Sequence, residues 1–103
     1  MFVTVSHSAP YGIADAPTLM DAFLVSPDID YISPQLYTTG TEATNDMEPA
    51  YNYPWNEWSK ATVPVVLSII SDGYYTDAYD QFQELTGLNA VGWVMWNVPG
   101  FQG

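Results

Sequence analysis

The feature that most limits the possible folds is the regular spacing of four apolar runs. Residues 2–6, 29–37, 63–70 and 90–96 are rich in β-branched and aromatic side chains, which favours β-strands. They show little alternation of apolar and polar residues, as expected for parallel strands that are covered on both faces. Their starts lie about thirty residues apart, roughly the length of one strand-plus-helix unit. The spacing therefore predicts repeated βα units.

Three helical segments are predicted between these runs. The first begins at Asp15, a favoured N-cap residue, and has Pro17 in its first turn. The second covers residues 54–60. The third begins near Thr76 or Asp77 and ends before Gly87, a residue suited to the position that follows a helix. The predicted order is β-α-β-α-β-α-β. The apolar runs contain Pro34 and Pro64. Proline has no backbone N–H to donate to a neighbouring strand, so each is expected near a strand end, an edge or a bulge.

This order predicts an α/β fold with parallel strands. A complete (β/α)₈ or TIM barrel needs about 250 residues, and this chain has 103. Residues 1–103 are therefore predicted to form a single domain, half of such a barrel. The alternative is a dinucleotide-binding fold, which we set aside because residues 6–12 read SHSAPYG and lack the G-x-G-x-x-G turn.

The charge of the chain excludes several classes of partner. Twelve Asp or Glu residues stand against Lys60 alone, for a net charge of −11. We therefore expect no binding to nucleic acid or to anionic membranes. The absence of Cys excludes thiolate chemistry and disulfides, and a single His with scattered carboxylates predicts no metal site. No cofactor is predicted. Residues 1–5 show no basic segment typical of a signal peptide, and the localisation stays open.

Four segments resemble a known family in the same order. Residues 29–37 (IDYISPQLY) are similar to the sixth barrel strand of family 18 glycoside hydrolases, especially hevamine-like class III chitinases, which read roughly F-D-Y-V-x-V-Q-F-Y-N. Residues 4–11 (TVSHSAPY) resemble the fifth strand and its loop, and residues 55–58 (WNEW) resemble the segment before strand seven. Residues 92–97 (GWVMWN) resemble strand eight, G-G-V-M-L-W-S. The resemblance spans nearly the whole chain, as strands five to eight.

The resemblance implies a site that binds N-acetylglucosamine polymers. Tyr37 would orient the N-acetyl group of the substrate, Gln35 would face the sugar, and Trp96 would form the apolar floor beneath it. These residues end predicted strands, where barrel active sites are built, and an indole suits the face of a sugar ring. The alternatives are that Tyr37 and Trp96 are core aromatics and that Gln35 caps a backbone group. An extracellular location is implied only by the family's polymeric substrates.

The catalytic acid of that family has no counterpart in the sequence. The family places it in D-x-x-D-x-D-x-E on strand four, and the nearest imitation, Asp28 and Asp30, lacks the Glu and reads as a turn into a strand. Glu42 and Asp46, in the loop after the second strand, are possible substrate contacts or a solvated acidic loop. His7 either faces the site or makes a local hydrogen bond. We therefore expect the chain alone to be inactive as a hydrolase.

Three functions stay open at this stage. The chain is part of a chitinase-like glycosidase, a carbohydrate-binding module that uses aromatic platforms such as Trp93 and Trp55, or a self-assembling structural protein. A half barrel exposes two strand edges and apolar faces. We therefore expect a homo-oligomer, or a second chain that completes the barrel.

Overall fold

The computed structural model describes residues 1–10, 14–38, 42–50 and 52–95. The strands are β1 (Phe2–Ser6), β2 (Tyr31–Gln35), β3 (Val66–Ile69) and β4 (Gly92–Met95). The α-helices are α1 (Ala16–Leu24) and α2 (Tyr75–Thr86), and two 3₁₀ helices cover Trp55–Lys60 and Asp72–Tyr74. The second predicted helix is thus a 3₁₀ helix instead of an α-helix.

The strands form one parallel sheet in the order β1-β2-β3-β4. Neighbours in space are neighbours in the chain, and all four strands finish at the same end, the carboxyl end of the sheet. The predicted α/β class with parallel strands is confirmed. The order differs from that of a dinucleotide-binding fold, in which the strand order reverses beside the first strand.

Alternate strand residues point to opposite faces of the sheet. On one face, side chains such as Val5, Ile32 and Leu67 pack in a buried cluster with residues of α1, α2 and the first 3₁₀ helix. In the described part of the chain, the buried apolar side chains of these helices all join this cluster. The opposite face therefore carries no described helix, and we call it the helix-free face.

Both prolines of the apolar runs lie near strand ends, as predicted. Pro34 is the penultimate residue of β2, although β2 is an interior strand. The amides of Ile32 and Leu36 donate to the carbonyl oxygens of Pro64 and Ser68, both at 3.0 Å. Because strand N–H groups alternate in direction, the missing N–H of Pro34 falls on this same side and leaves a gap in the β2–β3 ladder. Pro64 itself precedes β3.

Three aromatic rings form the centre of the helix-side core. Trp55, Trp58 and Phe82 have ring centroids 5.5 to 6.0 Å apart. The Trp55 indole donates to the carbonyl oxygen of Met47 at 2.8 Å and is buried. Trp55 therefore cannot serve as the exposed sugar platform that its sequence position suggested.

The helix ends follow the predicted signals in part. Asp15 occupies the N-cap position of α1, but its side chain makes no capping hydrogen bond. Gly87 follows α2 as predicted, and its φ of 77° is left-handed. No helix in the described residues is long and apolar enough to cross a membrane.

Candidate functional site

A row of uncharged polar side chains crosses the helix-free face near the carboxyl end of the sheet. Ser6 pairs with Gln35, and Gln35 pairs with Ser68 on the next strand. A hydrogen bond of 2.5 Å between the hydroxyl oxygens of Ser33 and Ser68 confirms that β2 and β3 present these residues on one face. We call Ser6, Gln35 and Ser68 the polar row. Hydroxyl and amide groups both donate and accept, so the row suits a neutral polar ligand.

Tyr37 lies just past the end of β2 and is half-buried. Leu36, the residue before it, packs in the helix-side core. Burial raises the pKa of the Tyr37 hydroxyl above its ordinary value. The hydroxyl therefore stays protonated at neutral pH and can donate a hydrogen bond to a ligand carbonyl oxygen.

His7 occupies the turn after β1 in a left-handed conformation with φ of 55°. Its backbone N–H donates to the Gln35 carbonyl oxygen at 3.1 Å, which ties this turn to the end of β2. His7 Nε2 lies 3.1 Å from Thr38 Oγ1, and that hydroxyl donates to Asp46 Oδ2 at 2.8 Å. Because the carboxylate can only accept, Thr38 must accept from His7, and Nε2 carries the proton.

The loop after β2 folds back on the strand end and brings its carboxylates to this turn. The Asp46 amide donates to the Leu36 carbonyl oxygen at 2.9 Å, and the Thr38 amide donates to Glu42 Oε2 at 2.5 Å. Asp46 Oδ2 lies 3.9 Å from His7 Nε2. Three residues predicted from two separate segments, His7 after β1 and Glu42 and Asp46 in the loop after β2, thus meet around Thr38, which the sequence did not single out.

One nitrogen of this cluster has no partner. The Nδ1 atom of His7 is buried, and no hydrogen bond reaches it from the described residues. With Nε2 protonated, Nδ1 of the neutral ring is a hydrogen-bond acceptor. The hydrogen bond to Thr38 therefore fixes both the tautomer and the orientation of the imidazole ring.

An acidic groove lies on the outer side of the same loop. It encloses about 520 Å³ and is lined by Glu42, Asp46 and Glu48 together with Asn45 and Gln81 of α2. In the described ranges, no group of three His, Asp or Glu side chains is placed to hold a metal ion. The groove is open and carries like charges, which suits a solvated surface better than a ligand site.

The remaining predicted residues lie apart from the polar row. Trp93 pairs in register with Leu67, and its ring packs at a tilt against Tyr75 with the centroids 5.9 Å apart. It therefore lies on the helix-bearing face, and it is partly exposed. Trp96 lies outside the described residues. Asp28 and Asp30 are exposed in the turn before β2, at the opposite end of the sheet, and Asp30 pairs with the N-terminal ammonium group.

Comparisons of the chain with family models, with curated proteins and with solved structures found no match.

Proposed function

We propose that the chain is part of a TIM barrel similar to that of family 18 glycoside hydrolases. We further propose that the carboxyl end of its β-sheet binds an N-acetylglucosamine oligosaccharide. The observation that carries the proposal is the polar row of Ser6, Gln35 and Ser68, which pair in register near the carboxyl end of the sheet. Tyr37 follows Gln35 by two residues, just past the end of β2. Barrel enzymes build their sites at this end. The sequential order of parallel strands also supports a barrel, because barrel strands neighbour one another in chain order.

The charges favour a neutral ligand. The polar row contains no ionisable group, and the chain carries a net charge of −11. Lys60, the only Lys or Arg of the chain, is paired with Asp21 at 2.7 Å and with Glu57 at 3.3 Å. An anionic sugar or a phosphate would meet repulsion from the surface and no free cation at the described site. A neutral sugar meets hydroxyl, amide and phenol groups.

Each proposed residue has a defined part in binding. Gln35 and Ser6, the partly exposed members of the polar row, would hydrogen-bond sugar hydroxyl groups, while the buried Ser68, bonded to Ser33, would support the base of the site. The protonated Tyr37 hydroxyl would donate to the N-acetyl carbonyl oxygen and hold that group in one orientation. His7, fixed by Thr38, would flank the ligand at the end of β1. Trp96 keeps the role that the resemblance implies, as the apolar floor under the ring.

The proposed role is binding and orientation, without hydrolysis by this chain alone. No strand of the described residues carries a carboxylate. The carboxylates near the polar row, Glu42 and Asp46, accept hydrogen bonds from Thr38, which holds them in the loop. We therefore expect no release of shorter sugars when the chain is incubated with an N-acetylglucosamine oligomer and the products are separated by chromatography.

Isothermal titration with an N-acetylglucosamine tetramer tests the binding. Gln35→Ala should weaken binding about tenfold, because the ligand loses hydrogen bonds in a partly buried site. Tyr37→Phe should weaken it by a similar factor through loss of the hydroxyl alone. Tyr31→Phe is the matched control, since Tyr31 is an exposed tyrosine at the amino end of β2, away from the polar row.

Absence of binding heat at millimolar sugar would contradict the proposal. It would also be contradicted if Tyr31→Phe weakened binding as much as Tyr37→Phe.

A further inference from the structure

The sheet separates charged from uncharged residues. None of the twelve acidic residues and no lysine lies within β1, β2, β3 or β4. The strand residues of the helix-free face are therefore uncharged, in a chain with a net charge of −11. A surface of this kind is the part of the molecule that another acidic molecule can approach with the least repulsion.

The same face exposes large apolar side chains close to the edges of the sheet. Phe2 of β1 is 46% exposed, Tyr31 beside it in register is 44% exposed, and Val94 of β4 is 40% exposed. In the described part of the chain, β1 pairs only with β2 and β4 only with β3. Each outer strand thus presents unpaired backbone groups next to exposed apolar side chains, an arrangement that favours pairing with a further strand.

We propose that this surface is an interface with a second copy of the chain, in which β4 of each copy pairs in parallel with β1 of the other. A two-fold axis along the sheet normal would reverse strand directions, whereas a two-fold axis parallel to the barrel axis preserves them. Two four-stranded sheets related in this way form two new parallel pairs and close an eight-stranded barrel. Both free edges are removed, and the exposed apolar side chains are buried.

The charge distribution favours a second copy joined in this manner. A second copy carries the same negative charge, so a stable contact must keep the carboxylates apart. Closure through the strands does so, because it buries uncharged residues and leaves the acidic loops and helices outside. Rotation about the barrel axis would also place both polar rows at the same rim. The inference rests on the barrel part of the proposed function and is independent of sugar binding.

Sedimentation equilibrium of the full chain between about 5 and 200 µM tests the inference. The expected mass is twice the monomer mass of 11.4 kDa. Val94→Asp should weaken the dimer at least tenfold, because it buries an unpaired charge at the interface. Val25→Asp, the same substitution at a site 48% exposed at the end of α1, should leave the dimer constant within about twofold. Phe2→Asp tests the β1 edge independently if Val94→Asp fails to fold.

Three results would overturn the inference: a folded monomer over the whole concentration range, species that grow beyond a dimer, or a Val94→Asp variant that dimerises like the wild type. Titration of the same samples with sugar separates the two proposals. A dimer that gives no binding heat supports the second copy and contradicts the sugar-binding part of the proposed function. A monomer that binds sugar contradicts the second copy and supports sugar binding.

Discussion

The buried side chain of Ser8 holds the site residues of the β1 turn in place. Its hydroxyl donates to the Tyr53 carbonyl oxygen at 2.6 Å and accepts from the Ala50 amide at 2.7 Å. Its own carbonyl oxygen accepts from the Trp58 indole at 2.9 Å. These three bonds connect the turn to the loop before the 3₁₀ helix and to the aromatic core. The left-handed His7 next to it is therefore positioned by a satisfied, buried network.

The carboxylate of Asp21 makes the clearest electrostatic contribution of a single residue. Its Oδ1 atom accepts from Lys60 Nζ at 2.7 Å and from the Tyr53 hydroxyl at 2.6 Å. These two hydrogen bonds hold the pKa of Asp21 below its ordinary value, and the bond from Lys60 has the larger effect. The stabilisation is full above the ordinary carboxyl pKa of about 4 and is lost as the pH falls through the lowered pKa of the folded state.

We expect Asp21→Asn to lower the free energy of unfolding at pH 7 by about 0.5 to 1 kcal/mol, a small value because the side chain is half exposed. The variant should also lose less stability than the wild type between pH 5 and 2, as measured by urea unfolding at several pH values. Asp28→Asn, in an exposed turn, should change neither property. An Asp21→Asn variant with the wild-type acid dependence would refute the role of this carboxylate.

At the scale of elements, apolar runs predicted the strands but not their ends. β1 has the predicted bounds, whereas β2 is shorter than the predicted residues 29–37. Ile29 is buried before the start of β2 and Leu36 after its end, because both side chains pack in the core. An apolar run predicts which residues are buried, and buried residues continue past the ends of the strand.

The composition of the site was predictable only in part. The carboxyl-end position of Gln35 followed from strand order, because parallel strands finish at one end. The contact of His7 with Thr38 and Asp46 could not be predicted in this way. Thr38 belongs to no recognisable sequence motif, and the contact forms only because the loop folds back on the strand end. The sheet face on which Trp93 lies could not be predicted either. A strand whose residues do not alternate between apolar and polar gives no sign of which side chains point to the helices.

The end of α2 offers a test of a single local signal. Gly87 adopts φ of 77°, and a Cβ atom there would meet nothing within 4 Å. Gly87→Ala should therefore destabilise the protein through backbone conformation alone, by about 1 to 2 kcal/mol in urea or thermal unfolding. Gly73→Ala is the matched control, because its nearest neighbour would be Ser71 Oγ at 3.8 Å and its backbone is not left-handed. It should be neutral or slightly stabilising. Equal effects of the two substitutions would contradict the conformational explanation.

At the scale of the whole molecule, polarity divides the sheet into two surfaces. Helices pack against one face around Trp58 and Phe82 and leave Trp93 of β4 partly exposed there. These helices and the loops carry the acidic residues. The other face combines exposed apolar side chains with the polar row near the carboxyl end. Such a surface suits association through the strands and recognition of a neutral ligand at the rim. The two activities use different parts of one face.

The most direct measurement is a two-dimensional ¹H–¹⁵N NMR titration of the chain with an N-acetylglucosamine tetramer. Sugar binding at the polar row predicts the largest shift changes at the amides of Ser6, His7, Gln35 and Ser68, and small changes along the outer surfaces of α1 and α2. Unchanged spectra at millimolar sugar would contradict the proposal. Changes confined to the acidic groove around Asn45, Glu48 and Gln81 would contradict it equally.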